Sequence, residues 1–212
     1  MYERYLKRPL DMVTALLLLA ALLPLLLLLT VLGGIFMKGN PFFLQPRPGR
    51  NERIFYLIKF RTMSNQRNSQ GVLLPDGTRL NRYGKFLRKT SLDELPELLD
   101  ILMGKMSLVG PRPLLCSYLP YYTPQERRRH SVRPGLTGLA QVSGRNALAW
   151  DQRFALDVRY VDHITFRGDL KILFQTAKKV LTREDVLMGR EKCMHNLDVE
   201  RRERFESGKN AG

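Results

Sequence analysis

The sequence predicts an α+β fold: a small, helix-dominated domain behind an N-terminal re-entrant, Pro-kinked membrane helix hairpin. Three observations predict it. Met12 to Met37 runs 26 residues without a charge. IFYLIKFRTM (Ile54 to Met63) is rich in β-branched and aromatic residues, as a strand requires. Beyond Tyr83, apolar residues recur at helical spacing between Gly and Pro punctuation.

The apolar run exceeds the roughly 18 residues that mark a membrane-embedded helix. A cleaved signal peptide fits poorly, because the run is too long and GGIFMKGNPFF offers no A-x-A-like site. Pro24 sits at its middle, deletes a backbone hydrogen bond and bends the helix. Both flanks are basic, with Arg4, Lys7 and Arg8 before the run and Lys38, Arg47 and Arg50 after it. A spanning helix leaves three cations on the wrong side of the positive-inside rule, whereas a hairpin kinked at Pro24 keeps both ends on one face. A kinked spanning helix stays open at this level.

Three regions follow: 1–37 in the membrane, 38–187 as the main domain and 188–212 as a charged, mobile tail. Gly39-Asn40-Pro41 and Pro46-Arg47-Pro48-Gly49 read as turns, and Ser64 to Asn81 as a polar loop. Tyr83 to Lys89 is a short basic helix, and Pro96 to Met106 carries helical spacing. Ser107 to Leu115 reads as a short strand ending in a rigid Pro-Arg-Pro turn. Arg133 to Asn146, Gly-rich, reads as strand and turn, and Asp151 to Asp162 and Gly168 to Leu181 as helices. The last puts Leu170, Leu173, Ala177, Val180 and Leu181 on one face, expected to face the core; a membrane-surface helix is the other reading.

With 35 Lys+Arg against 20 Asp+Glu, the chain of 212 residues carries a net charge of +15. An anionic partner follows: nucleic acid, lipid headgroups or a phosphorylated small molecule. Cys116 and Cys193 lie far apart, and His130, His163 and His195 form no paired motif, so neither a disulfide framework nor a zinc site is indicated.

Against that surplus, TSLDELPELLD (Thr90 to Asp100) places adjacent carboxylates behind the cationic run RLNRYGKFLRK. Ser91-x-x-Glu94 fits a helix capping box. Pro96, however, would then fall at the fifth helical position, so the helix starts nearer Asp93 or at Pro96. Asp93 and Glu94 would lie at the helix mouth, where N–H groups and cations hold a carboxylate ionised and phosphates nearby. An ionised Asp can attack phosphorus, and a neighbouring Glu suits a hard cation such as Mg²⁺. Taken alone, the stretch reads better as a cap than as a catalyst. Pro111-Arg112-Pro113 fixes an arginine suited to bidentate phosphate recognition, or forms a surface turn.

Five features occur together and in order: KFRTM (Lys59 to Met63), SLDELPEL (Ser91 to Leu98), SLVGPRP (Ser107 to Pro113), RPGLTGLAQVSGRN (Arg133 to Asn146) and Asp157. With them the chain resembles the bacterial sugar transferase family, and more narrowly its small monotopic phosphoglycosyl transferases, to about Val180. The resemblance implies that 38–187 is a cytoplasmic catalytic domain. The implied reaction moves a phospho-sugar from a UDP-sugar to polyprenol (undecaprenyl) phosphate and releases UMP. Asp93 would be the nucleophile that forms a covalent phospho-sugar enzyme, with Glu94 beside it as a Mg²⁺ ligand. Lys59, Arg88, Arg112, Arg145, Asn146 and Asp157 would contact substrate. The family's apolar segment is a re-entrant hairpin broken at a Ser-Pro pair; here Pro24 is kept and Leu23 stands in place of the serine. The implied setting is the bacterial inner membrane, with membrane lipids and downstream glycosyltransferases as partners.

Two other functions compete. A membrane-anchored nucleic-acid binder would use the Arg127–Arg129 run, but no nucleic-acid motif accompanies it, and no nucleic-acid partner is expected. A Mg²⁺-dependent hydrolase of nucleotide-sugar diphosphates would use the same carboxylate pair without a lipid acceptor.

Overall fold

The computed structural model describes residues 1–144, 148–182 and 196–209. A π-helical turn, Tyr2–Leu6, leads into α1 (Lys7–Met37), which is helical through Pro24. α1 stops where Lys38 turns left-handed (φ 51°) and Gly39 N–H donates to the Gly34 carbonyl. It is the one described helix long and apolar enough to cross a membrane.

α1 rests along the domain over most of its length. Near its start, Lys7 pairs with Asp169 at 2.6 Å, Arg8 donates to the Ile101 and Leu102 carbonyls, and Asp11 accepts from Ser107 Oγ. Ala15 is buried among Leu98, Ile101 and Met106. Past Pro24, Leu29 is buried against Phe60, Tyr83 and Leu87, and Tyr83 donates to the Leu29 carbonyl at 2.7 Å. Gly33 meets Pro41 so closely that an added Cβ would lie 2.8 Å from the proline's. The opposite face stays bare, with Leu16, Leu17, Leu27, Leu28, Val31 and Ile35 all more than half exposed.

β1 (Phe42–Pro48) and β2 (Ile54–Phe60) form an antiparallel hairpin that pairs Phe43 with Lys59 and Pro46 with Tyr56. The turn expected at 46–49 is therefore mostly strand. In a two-stranded sheet both strands are edges, so Pro46 and Pro48 are tolerated without a donor. β2 ends two residues after Ile58, and Arg61 to Met63 leave the sheet toward the loop. That loop holds a short α2 (Asp76–Arg79).

α3 (Arg82–Thr90) starts at Asn81, whose side chain accepts from Gly84 N–H, and ends at left-handed Ser91 (φ 55°). A single 3-10 turn, Leu92–Glu94, precedes α4 (Glu97–Leu102), with Pro96 as its N-cap. β3 (Ser107–Val109) pairs in parallel with β4 (Gly135–Thr137), and the Pro-Arg-Pro turn follows β3 directly. The strands are pressed together: a Cβ on Gly135 would lie 2.1 Å from Gly110 N. α5 (Pro124–Arg127) carries a complete Thr123/Glu126 capping box.

After β4 comes a helix, α6 (Leu139–Ser143), where only strand and turn were expected. α7 (Trp150–Asp162) and α8 (Phe166–Thr182) match the expected helices. The expected core stripe of α8 holds only in part: Leu173 packs against the core cluster. Ile172 and Asp169 are buried, while Leu170 and Val180 are exposed with Phe166 and Phe174. Asp169 turns this face inward because it serves Lys7, Tyr2 and Tyr160 at 2.6–2.8 Å.

The tail also departs from expectation. Within 188–212, α9 (Leu197–Lys209) is helical, and Leu197 is fully buried among Tyr118, Tyr122, Trp150 and Phe154. Burying one leucine contributes roughly 2 kcal/mol, and Arg201 adds ion pairs to Glu126 and Asp151. Asn196, which accepts from Tyr118, and Arg202, which donates to Tyr121, add to the docking of a segment whose composition is otherwise that of a solvated tail.

Candidate active site

A cavity of about 490 Å³ opens between the β1–β2 hairpin, α3, the 91–94 turn and the Pro-Arg-Pro turn. Seven lysines and arginines line it against three carboxylates, Asp93, Glu94 and Asp157. Of the expected site residues, Lys59, Arg88, Asp93, Glu94, Arg112 and Asp157 all reach it. Arg145 and Asn146 lie outside the described residues.

The carboxylate pair is presented by backbone, not by a cap. Ser91 makes no side-chain capping bond; its carbonyl accepts from Glu94 N–H at 3.2 Å. Left-handed Ser91 reverses the chain after α3, so Asp93 and Glu94 project from a single tight turn. Glu94 does not reach back to Ser91. Its Oε1 accepts from Arg112 Nη2 at 2.5 Å and from Lys59 Nζ at 3.0 Å. Burial works against ionising Glu94, but the Arg112 and Lys59 charges outweigh it and hold the carboxyl well below its usual range.

Asp93 differs from its neighbour. Burial and the Glu94 charge raise its carboxyl above the ordinary value, with Lys59 and Arg112 opposing. Its own backbone N–H favours the charged form, and neither Lys59 nor Arg112, which both bond Glu94, donates a hydrogen bond to it. The simple expectation of a fully ionised Asp93 at a helix mouth is therefore corrected in direction.

Three supports hold this arrangement. Asp100, fully buried, accepts from Ile58 N–H at 2.9 Å and pins β2 beside Lys59. Glu97, also buried, lies 2.9 Å from Lys59 Nζ as an ionic contact, and burial with Glu94 pushes it up. Gly84 lets α3 touch the end of β2: a Cβ there would sit 1.8 Å from the Thr62 carbonyl oxygen. That approach brings Arg88 Nε to Thr62 Oγ1 at 3.0 Å.

Asp157 lines the cavity but is spoken for. Arg129 grips its Oδ2 through Nε at 3.0 Å and Nη2 at 2.8 Å, and the same Nη2 donates to the Arg112 carbonyl. Asp157 thus sets Arg129, and Arg129 sets the Pro-Arg-Pro turn. Sequence reasoning missed Arg129 as a site residue, having weighed it only within the Arg127–Arg129 run that a nucleic-acid binder would use; Arg127 and Arg128 beside it are paired at the surface. Arg153, stacked over Trp150 at 4.7 Å, was also missed, as were Arg79 and Gln141. Nothing in their spacing marks them, since they converge only through tertiary packing.

Among the described residues, no group of three or more His, Cys, Asp or Glu side chains could hold a metal ion. The adjacent Asp93 and Glu94 carboxylates would suit a hard cation that arrives with a diphosphate. Lysines and arginines on every other wall suit the phosphates.

Fold and site together define a helix-dominated domain on one long apolar helix, with a cation-lined cavity built around a carboxylate pair. The chain belongs to the bacterial sugar transferase family, whose model matches residues 2–183. It is 50% identical over 182 residues to the uncharacterized sugar transferase EpsL of Bacillus subtilis, covering 85% of this chain and 90% of that one. It is 39% identical over 189 residues to a UDP-glucose:undecaprenyl-phosphate glucose-1-phosphate transferase of Caulobacter vibrioides, covering 84% and 71%. An undecaprenyl-phosphate galactose phosphotransferase of Salmonella typhimurium is 39% identical over 202 residues; the match takes in 86% of this chain but 42% of that longer protein.

Proposed function

We propose that this protein is a phosphoglycosyl transferase that moves a sugar phosphate from a UDP-sugar to polyprenol phosphate, with the phospho-sugar held on Asp93 between two half-reactions. The observation that carries this reading is the Asp93 carboxylate in a cation-lined cavity, beside the ion-paired Glu94. Relatives named as transferring glucose or galactose phosphate to undecaprenyl phosphate support the reaction class.

In the first half-reaction an Asp93 oxygen attacks the sugar-bearing phosphorus. The bond from that phosphorus to the bridging oxygen breaks, and UMP leaves with its electron pair. In the second, an oxygen of the polyprenol phosphate attacks the same phosphorus and frees the Asp93 carboxylate. Both steps bring anion to anion, so Lys59, Arg88 and Arg112 must offset the repulsion. Glu94 positions two of these, Lys59 and Arg112, through its salt bridges, and holds both beside Asp93. Mg²⁺ fits the adjacent carboxylates of Asp93 and Glu94 and, when bound, supplies charge neutralisation to the diphosphate.

The second substrate is a lipid, and α1 suits its delivery. A straight 31-residue helix is about 46 Å long, more than a bilayer's hydrocarbon core of about 30 Å. A spanning α1 would carry one half well away from a domain lying on one face. Contacts to the domain from Lys7, Asp11 and Ala15 before Pro24, and from Leu29 and Gly33 after it, support a re-entrant course instead. The bare leucine face and the exposed Phe166, Leu170 and Phe174 of α8 would then lie against lipid, with the catalytic domain on the cytoplasmic face of the inner membrane.

Trapping tests the chemistry. The purified protein is mixed with UDP-sugar without acceptor, quenched in acid and digested. A phospho-sugar mass on the peptide containing Asp93, removed by added undecaprenyl phosphate, is the expected result. Turnover with no adduct, or an adduct elsewhere, rules out the covalent role of Asp93.

A further inference from the structure

A second cavity, of about 480 Å³, lies apart from the active site at the N-terminal foot of α1. Its cations come from three separate parts of the chain: Arg4 and Arg8 at the foot of α1, Arg50 in the β1–β2 turn, and Arg133 before β4. Their structural duties use only some of their donors. Arg8 caps the α4 carbonyls of Ile101 and Leu102, and Arg133 Nε donates to the Gly104 carbonyl at 2.8 Å. Arg50 uses only Nε, to the Ser131 carbonyl. Among the described residues, the terminal nitrogens of Arg50 and Arg133 have no partner, and Arg4 has only a stacking contact over Tyr5.

The local acids do not balance these charges. Lys7, which also lines the cavity, is satisfied by Asp169 at 2.6 Å. Asp11 is committed to Ser107 Oγ at 2.5 Å, which leaves exposed Glu3 as the other acid on the wall. Arg8 is lowered by burial and then by the Arg133 charge, so the two guanidiniums stand close enough to repel. Converging like charges around an open concavity is unfavourable unless an anion occupies it.

The cavity's place selects the anion. The uncharged run begins at Met12, one turn beyond Arg8, and Leu10, Val13 and Leu17 are 42%, 56% and 64% exposed. Arginines at the end of a lipid-embedded helix lie at headgroup depth, where phosphodiester groups are concentrated. We infer that this second cavity binds the phosphate of an anionic phospholipid, with Arg4, Arg50 and Arg133 as its donors and the acyl chains along α1. The inference rests on α1 lying in a bilayer and is independent of the chemistry at Asp93. Such a lipid would fix the depth and tilt of α1.

The test uses the full chain in neutral detergent. Native mass spectrometry after exposure to equal phosphatidylglycerol and phosphatidylcholine counts retained lipid in wild type, Arg50→Gln and the Arg4→Gln/Arg50→Gln pair. Both residues are exposed, so the melting temperature in neutral detergent should not move. Wild type should retain phosphatidylglycerol preferentially, and the double variant should lose that retention by at least about tenfold, with the single variant between. Equal retention by all three proteins, or no preference over phosphatidylcholine, overturns the inference. A thermal-shift arm separates the sources: protection by phosphatidylglycerol but not by millimolar inorganic phosphate supports a lipid, whereas equal protection by phosphate overturns the lipid assignment.

Discussion

Asp93 and Glu94 are adjacent in sequence and opposite in electrostatics. Glu94 is held ionised by Arg112 and Lys59, while burial and that same Glu94 charge push Asp93 upward. In an unfolded chain an aspartate titrates near about 3.9, so a raised folded value means that the fold favours the protonated acid. Ionising Asp93 at neutral pH then costs stability, a cost that grows as pH rises through the folded value. Asp93→Asn should therefore abolish turnover, by about three orders of magnitude or more, while its melting temperature at pH 7 equals or exceeds that of wild type. A clear fall in melting temperature would show that the charge is stabilising and the direction wrong. The same shift places the acid limb of kcat/KM for wild type at higher pH than an unperturbed aspartate would give, because the nucleophile must be ionised in the free enzyme. A limb in the ordinary aspartate range would contradict it. The pair itself was legible in the sequence, as adjacent acids behind a cationic run. The capping box was misleading: left-handed Ser91 withdraws the serine from that role, and no pattern announces a positive φ at a non-glycine residue.

At the scale of elements, legibility follows how local the cause is. α3, α4, α7 and α8 announce themselves through apolar spacing and caps, which act within a few residues. β1 was hidden by Pro46 and Pro48, because proline counts against a strand unless the strand is an edge. The inward face of α8 was only partly legible: Leu173 meets the core as expected, but Asp169 is buried beside it, and its partner Lys7 lies 162 residues away. α9 was read as tail because its composition is charged, and its contacts, Leu197 and the polar ties of Asn196, Arg201 and Arg202, are too sparse to make a pattern. Gly84 offers an element-level test. A methyl group at that position would strike the Thr62 carbonyl, and α3 would have to move off the end of β2. Gly84→Ala should cost about 1–3 kcal/mol of stability and lower activity through the displaced Arg88. Thermal melts and kcat/KM check both, and a variant with unchanged stability would mean that α3 does not sit this tightly.

Over the whole molecule, a basic domain is seated on one long apolar helix, and under the proposed function that helix would bring the cation-lined site to a lipid second substrate. The net charge pointed to an anionic partner and the apolar run to a long apolar helix, and the latter is what the fold contains. How the helix meets the domain was not legible, since Lys7–Asp169, Asp11–Ser107 and Tyr83–Leu29 join residues 54 to 162 apart. A re-entrant α1 predicts that single cysteines at Glu3 and Asn68, in a background lacking Cys116 and Cys193, react with an impermeant maleimide from the same side of sealed vesicles. Labelling from opposite sides would establish a spanning helix. The most direct measurement is UMP release by the reconstituted protein over a panel of UDP-sugars, with and without undecaprenyl phosphate. Sustained release that requires the lipid phosphate and yields a lipid-linked sugar diphosphate is the predicted result. Sustained release without lipid, with sugar phosphate set free in water, would instead identify a hydrolase and contradict the account.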